Sequence, residues 1–114
     1  MRQVVIICQP ARERGADFHA LKASLLLSAG RTDAARHEIE AALGRDPGSA
    51  RAQAVRAIVA VVEDRPDEAF AAGQRAAAAA PDSAAALVAL SYAEQANLQL
   101  ESARDTLLTA VRLQ

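Results

Sequence analysis

The feature that most constrains this chain is an internal repeat with a period of 34 residues. The segments 47-PGSARA-52 and 81-PDSAAA-86 share proline, serine and two alanines in register. Other pairs recur at the same spacing, namely Arg31 with Arg65, Asp33 with Asp67, Ala42 with Ala76, and Ala76 with Ala110. A fixed period of this length indicates stacked copies of one supersecondary unit. The sequence therefore predicts three units, 16–49, 50–83 and 84–114, preceded by an N-terminal segment, 1–15.

The composition indicates what each unit is made of. Alanine accounts for 30 of the 114 residues and aromatic residues for only 3%. Alanine is the best helix former, whereas strands favour β-branched and aromatic residues. An all-α chain with small side chains at its helix crossings is the fold class that this composition predicts.

Each unit contains the start and stop signals of two helices. Gly30 is suited to end one helix, Ser49 and Ser83 are suited to N-capping, and Pro66 is suited to the first turn of another. The predicted helices are 17–29, 33–43, 49–62, one that begins at Pro66, 83–96 and 100–113. In this register Ala76 lies in the core, so a bulky residue should destabilise the fold more there than at Ala78 or Ala79. Gly73 falls inside a helix, where glycine costs about 1 kcal/mol relative to alanine.

A helix–turn–helix period of 34 residues, with small residues at fixed places and a proline near its end, resembles the tetratricopeptide repeat. The family's small residues correspond to Ala23, Ala57, Ser91, Ala35, Ala69, Ala103, Ala42, Ala76 and Ala110, and its proline to Pro47 and Pro81. Its turn glycine is present only as Gly30, with Asp64 and Leu98 at the other two turns. The family's aromatic positions are occupied by His19, Gln53, Leu87, Ile39, Gly73 and Leu107. The resemblance implies tandem antiparallel helix hairpins stacked in a right-handed superhelical α-solenoid.

In this family the first helices of successive hairpins line a concave groove that takes a peptide or helix of a partner protein. The resemblance places six residues in that groove, Arg51, Ile58, Val62, Val88, Tyr92 and Gln95. Its centre would be apolar. Two alternatives stay open: Tyr92 packs within its own hairpin, or Ile58 and Val62 are covered by an adjacent helix or by the N-terminal segment. Members that clamp a C-terminal carboxylate use basic and amide side chains, but the equivalent positions hold Ala20, Ser24, Ala54 and Ile58.

The sequence contains no recognisable catalytic or metal-binding motif. His19 and His37 lie on different predicted helices without a cysteine or carboxylate at ligand spacing, and Cys8 has no reactive-cysteine signature. There is no glycine-rich phosphate loop. We therefore expect no enzyme activity, catalytic residue, metal or cofactor.

Charge and hydropathy argue against nucleic acid as a partner and against a membrane-spanning segment. A net charge of −1 with mixed signs gives no footprint for nucleic acid. A helical-repeat RNA binder would need a basic inner face, whereas the predicted face has Arg51 and Asp17 among aliphatic residues. The run 4-VVIIC-8 is shorter than a signal-peptide core and too short to span a membrane. The compartment stays open between the cytoplasm and the bacterial envelope.

The last predicted helix carries apolar residues with no following unit to cover them, namely Leu107, Leu108 and Val111. Two interpretations follow. The chain is a segment of a longer array that positions neighbouring domains, or these residues form a self-association face and the protein is a homo-oligomer.

Overall fold

The computed structural model describes residues 11–113, apart from the side chain of Arg12. Six helices and no strand occur in this range: α1 (Ala11–Ser28), α2 (Thr32–Arg45), α3 (Ala50–Val62), α4 (Pro66–Ala79), α5 (Ala84–Ala96) and α6 (Leu100–Arg112). The all-α prediction is confirmed. Helix α1 begins at Ala11, six residues before the predicted start, and the rest of the N-terminal segment, 1–10, lies outside the described residues.

Neighbouring helices form three antiparallel hairpins, α1–α2, α3–α4 and α5–α6. The odd-numbered helices also contact one another, since α3 touches both α1 and α5. Within residues 11–113, the even-numbered helices α2, α4 and α6 share no such contacts. Helices in contact on one side and spread apart on the other bend the stack, so α1, α3 and α5 lie on its inner side.

The predicted N-caps of α3 and α5 are confirmed. Ser49 Oγ accepts a hydrogen bond from the backbone N–H of Ala52 at 3.1 Å, and Ser83 Oγ accepts one from Ala86 at 3.2 Å. Pro66 occupies the first turn of α4. The two serines stand 34 residues apart, so the same local bond starts the first helix of the second and third hairpins.

One backbone motif closes all three hairpin turns, although only one of them contains glycine. Gly30, Asp64 and Leu98 have φ of 77°, 58° and 61°. In each turn the next residue donates its N–H to a carbonyl five residues earlier: Arg31 to Leu26, Arg65 to Ala60, and Gln99 to Glu94. This is the Schellman arrangement, which suits glycine. Leucine in this left-handed conformation costs about 1–2 kcal/mol.

The core is built mainly from alanine at the predicted register. Fully buried alanines lie where helices cross, and they include Ala23, Ala35, Ala42, Ala57, Ala69, Ala76, Ala89 and Ala93. Among residues 11–113, the largest fully buried side chains are Ile39, Val59 and Ser91. Such small side chains let the helix backbones approach closely, which recovers the packing contacts that larger cores obtain from side-chain length.

Gly73 on α4 lies in a close contact with α5. A Cβ at this position would lie 3.1 Å from the Leu90 Cα atom and 3.3 Å from Leu90 Cδ1. Glycine lowers the helix propensity at this position, but its missing side chain leaves the space that Leu90 of the next hairpin needs.

The register predicts how the alanine run 76–80 responds to bulk. Ala76 is fully buried against Ala54, Ala57 and Ala86, whereas Ala78 is exposed. We expect Ala76→Leu to lower the free energy of unfolding by about 1–3 kcal/mol, because the added atoms force α4 away from its neighbours. The exposed control Ala78→Leu should change it by less than about 0.5 kcal/mol. Urea denaturation of both variants measures the difference, and equal losses would contradict the register.

The turn at Leu98 offers a stabilising substitution. Its side chain is 82% exposed, so little burial is lost on removing it. We expect Leu98→Gly to raise the free energy of unfolding by about 0.5–1 kcal/mol, because glycine relieves the positive φ. Gln74→Gly is the control: at an exposed position inside α4 glycine brings only its cost in helix propensity, and stability should fall. Thermal denaturation that shows the same shift for both variants would refute this explanation.

Candidate binding groove

The six residues predicted to line a groove fall on the solvent-facing sides of two inner helices. Arg51, Ile58 and Val62 recur at helical spacing on α3, and Val88, Tyr92 and Gln95 do so on α5. The other sides of these helices are largely buried against neighbours. We call these six residues the inner strip.

Two inner-strip residues leave large apolar surfaces open. Val62 is 59% exposed and Tyr92 is 47% exposed. Ile58 is half-buried because it packs against the alanines between α3 and α5, among them Ala57 and Ala89. The hydroxyl of Tyr92 makes no hydrogen bond within the described part of the chain. Val62 and Tyr92 thus give α3 and α5 an accessible apolar contact with one unused polar group.

The same side of the molecule becomes polar toward the N-termini of the inner helices. A cavity of about 430 Å³ opens there, lined by Glu13, Asp17 and Asp46 together with Arg51 and the two N-capping serines. Arg51 Nη1 lies 3.8 Å from Asp17 Oδ2, which joins α3 to α1. Three carboxylates and one guanidinium line this cavity, and the Arg45 side chain lies against Gly15 of α1.

A charge network joins the first two hairpins. The Arg36 guanidinium on α2 donates to Glu63 Oε1 at 2.9 Å and to Glu68 Oε2 at 2.7 Å. Arg56 on α3 donates to the same Glu68 oxygen at 3.2 Å. Hydrogen bonds from Arg36, and secondarily from Arg56, hold the pKa of Glu68 below its ordinary value. The two carboxylates raise the pKa of Arg36 further above neutrality.

The two histidines are not brought together as a site. His19 Nδ1 donates to Glu38 Oε1 at 2.7 Å across the first hairpin, and this bond lowers the pKa of Glu38. His37 is exposed on α2. Residues 11–113 include no group of three or more histidine, cysteine, aspartate or glutamate side chains placed to hold a metal ion. Cys8 lies outside the described residues.

The predicted self-association residues lie on the last helix with their side chains open. Leu107, Leu108 and Val111 line a cavity of about 370 Å³ with Leu100 and Gln95. We call Leu100, Leu107, Leu108 and Val111 the C-terminal face. None of the described helices is both long and apolar enough to cross a bilayer.

Sequence reasoning missed two features. Phe18, Leu21 and Leu25 on α1 are exposed and form a second apolar stripe, which we call the N-terminal stripe. Shifting the repeat register back to α1 would have shown it. The Arg36 network was also missed, because the partners of Arg36 lie 27 and 32 positions away and no local sequence pattern indicates them.

Three comparisons place the chain among known proteins. The sequence profile of the tetratricopeptide repeat family matches residues 21–84, more than half of the chain. No curated protein gives a significant match.

Among solved structures, PilF of Pseudomonas aeruginosa superimposes with a TM-score of 0.81 at 28% identity over 89% of this chain, which spans 46% of the PilF chain. This chain is thus about half the length of that relative. The second tetratricopeptide repeat domain of Spaghetti (RPAP3), bound to the HSP90 peptide SRMEEVD, superimposes with a TM-score of 0.77 at 17% identity, over 90% of this chain and 94% of that one.

The network at Glu68 predicts a pH-dependent stability. A carboxyl group whose pKa is lowered on folding adds stability above its unfolded pKa and loses it as the pH falls through the folded value. We expect Glu68→Gln to lower the free energy of unfolding by about 1–2 kcal/mol at pH 7. The deficit should shrink as the pH falls below 4.5, the ordinary pKa of a glutamate. Glu40→Gln, at an exposed position on α2, is the control and should have little effect. Urea denaturation across pH measures both variants, and a deficit that does not depend on pH would rule out the charge network as its cause.

Proposed function

Because the chain belongs to the tetratricopeptide repeat family, we propose that it is a protein-interaction module whose inner strip binds a peptide or helix of a partner protein. Members of this family are typically non-enzymatic modules that bind other proteins. The observation that supports the proposal is the exposure of two apolar side chains, Val62 on α3 and Tyr92 on α5.

The inner strip favours a partner with apolar side chains at its centre. Val62 and Tyr92 expose apolar surface, and Ile58 and Val88 on the same two helices are half-buried. Burying a tyrosine at a protein interface is commonly a major source of binding energy. Its hydroxyl can also bond to the partner's backbone, which an aliphatic residue could not do. An amphipathic helix or an extended peptide with two apolar anchors satisfies this surface.

The carboxylates in the cavity at the N-termini of the inner helices favour a basic residue in the same partner. Glu13, Asp17 and Asp46 line this cavity together with Arg51. The acidic peptide bound by the RPAP3 domain is therefore a poor guide to the partner of this chain. The expected residues of a carboxylate clamp are absent too, since Ala20, Ser24, Ala54 and Ile58 stand in their places.

Display of random peptides against the purified protein tests the inner strip without requiring an identified partner. We expect wild-type protein to select peptides that share apolar anchors. The double variant Val62→Asp with Tyr92→Ala should bind the selected peptides at least about 30-fold more weakly, because it removes the two most exposed apolar contacts and adds a charge. Isothermal titration calorimetry measures the affinities.

The matched control is Ala78→Asp, which adds the same charge on the exposed side of outer helix α4. It should leave peptide affinity unchanged. Circular dichroism must show that both proteins keep their helix content. Full binding by the double variant, or equal loss in the control, would refute binding at the inner strip.

A further inference from the structure

The N-terminal stripe consists of large apolar side chains in open solvent. Phe18, Leu21 and Leu25 are 62%, 61% and 64% exposed on α1. They follow one another at spacings of three and four residues, so they share one face of the helix. Exposed apolar patches of this kind mark surfaces that another protein element covers.

The 34-residue register shows what the stripe is equivalent to. Phe18 corresponds to Ala52 and Ala86, Leu21 to Val55 and Ala89, and Leu25 to Val59 and Ala93. All six counterparts are buried. They include the residues by which α3 packs on the first hairpin and α5 packs on the second. The stripe is therefore the docking side of a hairpin junction, with no preceding hairpin on it in residues 11–113.

The C-terminal face is the opposite side of the same kind of junction. Leu107 corresponds to Ile39 and Gly73, and Val111 to Leu43 and Ala77. In the first junction Ile39 and Leu43 pack in one cluster with Val55 and Val59, the counterparts of Leu21 and Leu25. The unpaired faces at the two ends thus carry the two halves of a contact that the chain already makes internally.

The sizes of the side chains suit the first junction as a template. There two larger aliphatic residues of the outer helix meet two β-branched residues of the next inner helix. At the ends, Leu107 and Val111 would meet Leu21 and Leu25. The second junction is a poorer template, since Gly73 and the alanines of α5 leave no room for leucines on both sides.

We propose that this chain self-associates head to tail, with the C-terminal face of one copy docking on the N-terminal stripe of the next, in the geometry of the junction between hairpins one and two. The contact is heterologous, because each copy uses a different surface on each side. Association is then open-ended unless the rotation closes a ring. Of the six inner-strip residues, Gln95 alone lines the cavity at the C-terminal face. Substitutions at Val62 or Tyr92 therefore separate peptide binding from association.

Two blocked variants test the geometry. Leu21→Glu places a charge in the N-terminal stripe, and Leu107→Glu places one in the C-terminal face. Both positions are exposed, so the fold should tolerate them. Sedimentation equilibrium of the full chain should show wild-type mass rising with concentration above 11.9 kDa. Each variant alone should associate at least about 10-fold more weakly. It should therefore stay at the monomer mass at concentrations where wild type already associates.

Mixing the two variants gives the decisive result. Each retains one unblocked face, so the mixture should form one junction and stop at a dimer of twice 11.9 kDa. Tyr92→Ala, on the inner strip, is the control and should associate as wild type does.

Three outcomes would overturn the proposal. If Leu21→Glu still dimerises alone while Leu107→Glu does not, the C-terminal faces meet each other symmetrically. If wild-type protein is monomeric at every concentration, no copy occupies the stripe. If it is monomeric but Ile6→Asp makes it associate, the apolar segment 4–8 is the occupant instead.

Discussion

Close approach of helix backbones at alanine is the interaction on which the structure depends. Alanines at the helix crossings leave no side chain long enough to hold two helices apart, so the hairpins stack at short range. Each hairpin alone has too few large side chains to form a core. Ile39 and Val59 are among the largest fully buried ones, and they lie on different hairpins. Stability is therefore a property of the junctions between hairpins.

The spacing of these alanines explains why the local details can vary between units. The Schellman turn recurs with glycine, aspartate and leucine at its left-handed position. The conformation is kept at Leu98 although the local preference opposes it, because the packing of α5 and α6 requires the chain to reverse there. Tertiary packing thus overrides a local cost of about 1–2 kcal/mol.

Much of the fold could be predicted because it depends on periodicity. The period of 34 identified the hairpins, and Ser49 and Ser83 marked two helix starts. The six residues of the inner strip followed from the family resemblance, and their role in binding stays a prediction. The fit of Gly73 to Leu90 and the pairing of Arg36 with Glu68 could not be read in this way. Both depend on which distant side chains meet once the hairpins have stacked. The start of α1 at Ala11 could not be predicted from the period either, because residues 11–15 precede the first repeat unit.

The alanine junctions also decide the shape of the inner strip. Val62 lies on α3 and Tyr92 on α5, so their separation depends on how closely those two helices pack. That separation is set by Ala54 and Ala57 packing against Ala86 and Ala89, on which Ile58 rests. On α1 the matching positions are Ser24 and Ser28, so the apolar part of the strip spans two helices rather than three. Any partner that uses it must place its anchors at the short spacing that an alanine interface imposes. The alanine packing that forms the core therefore also determines the geometry of the proposed binding surface.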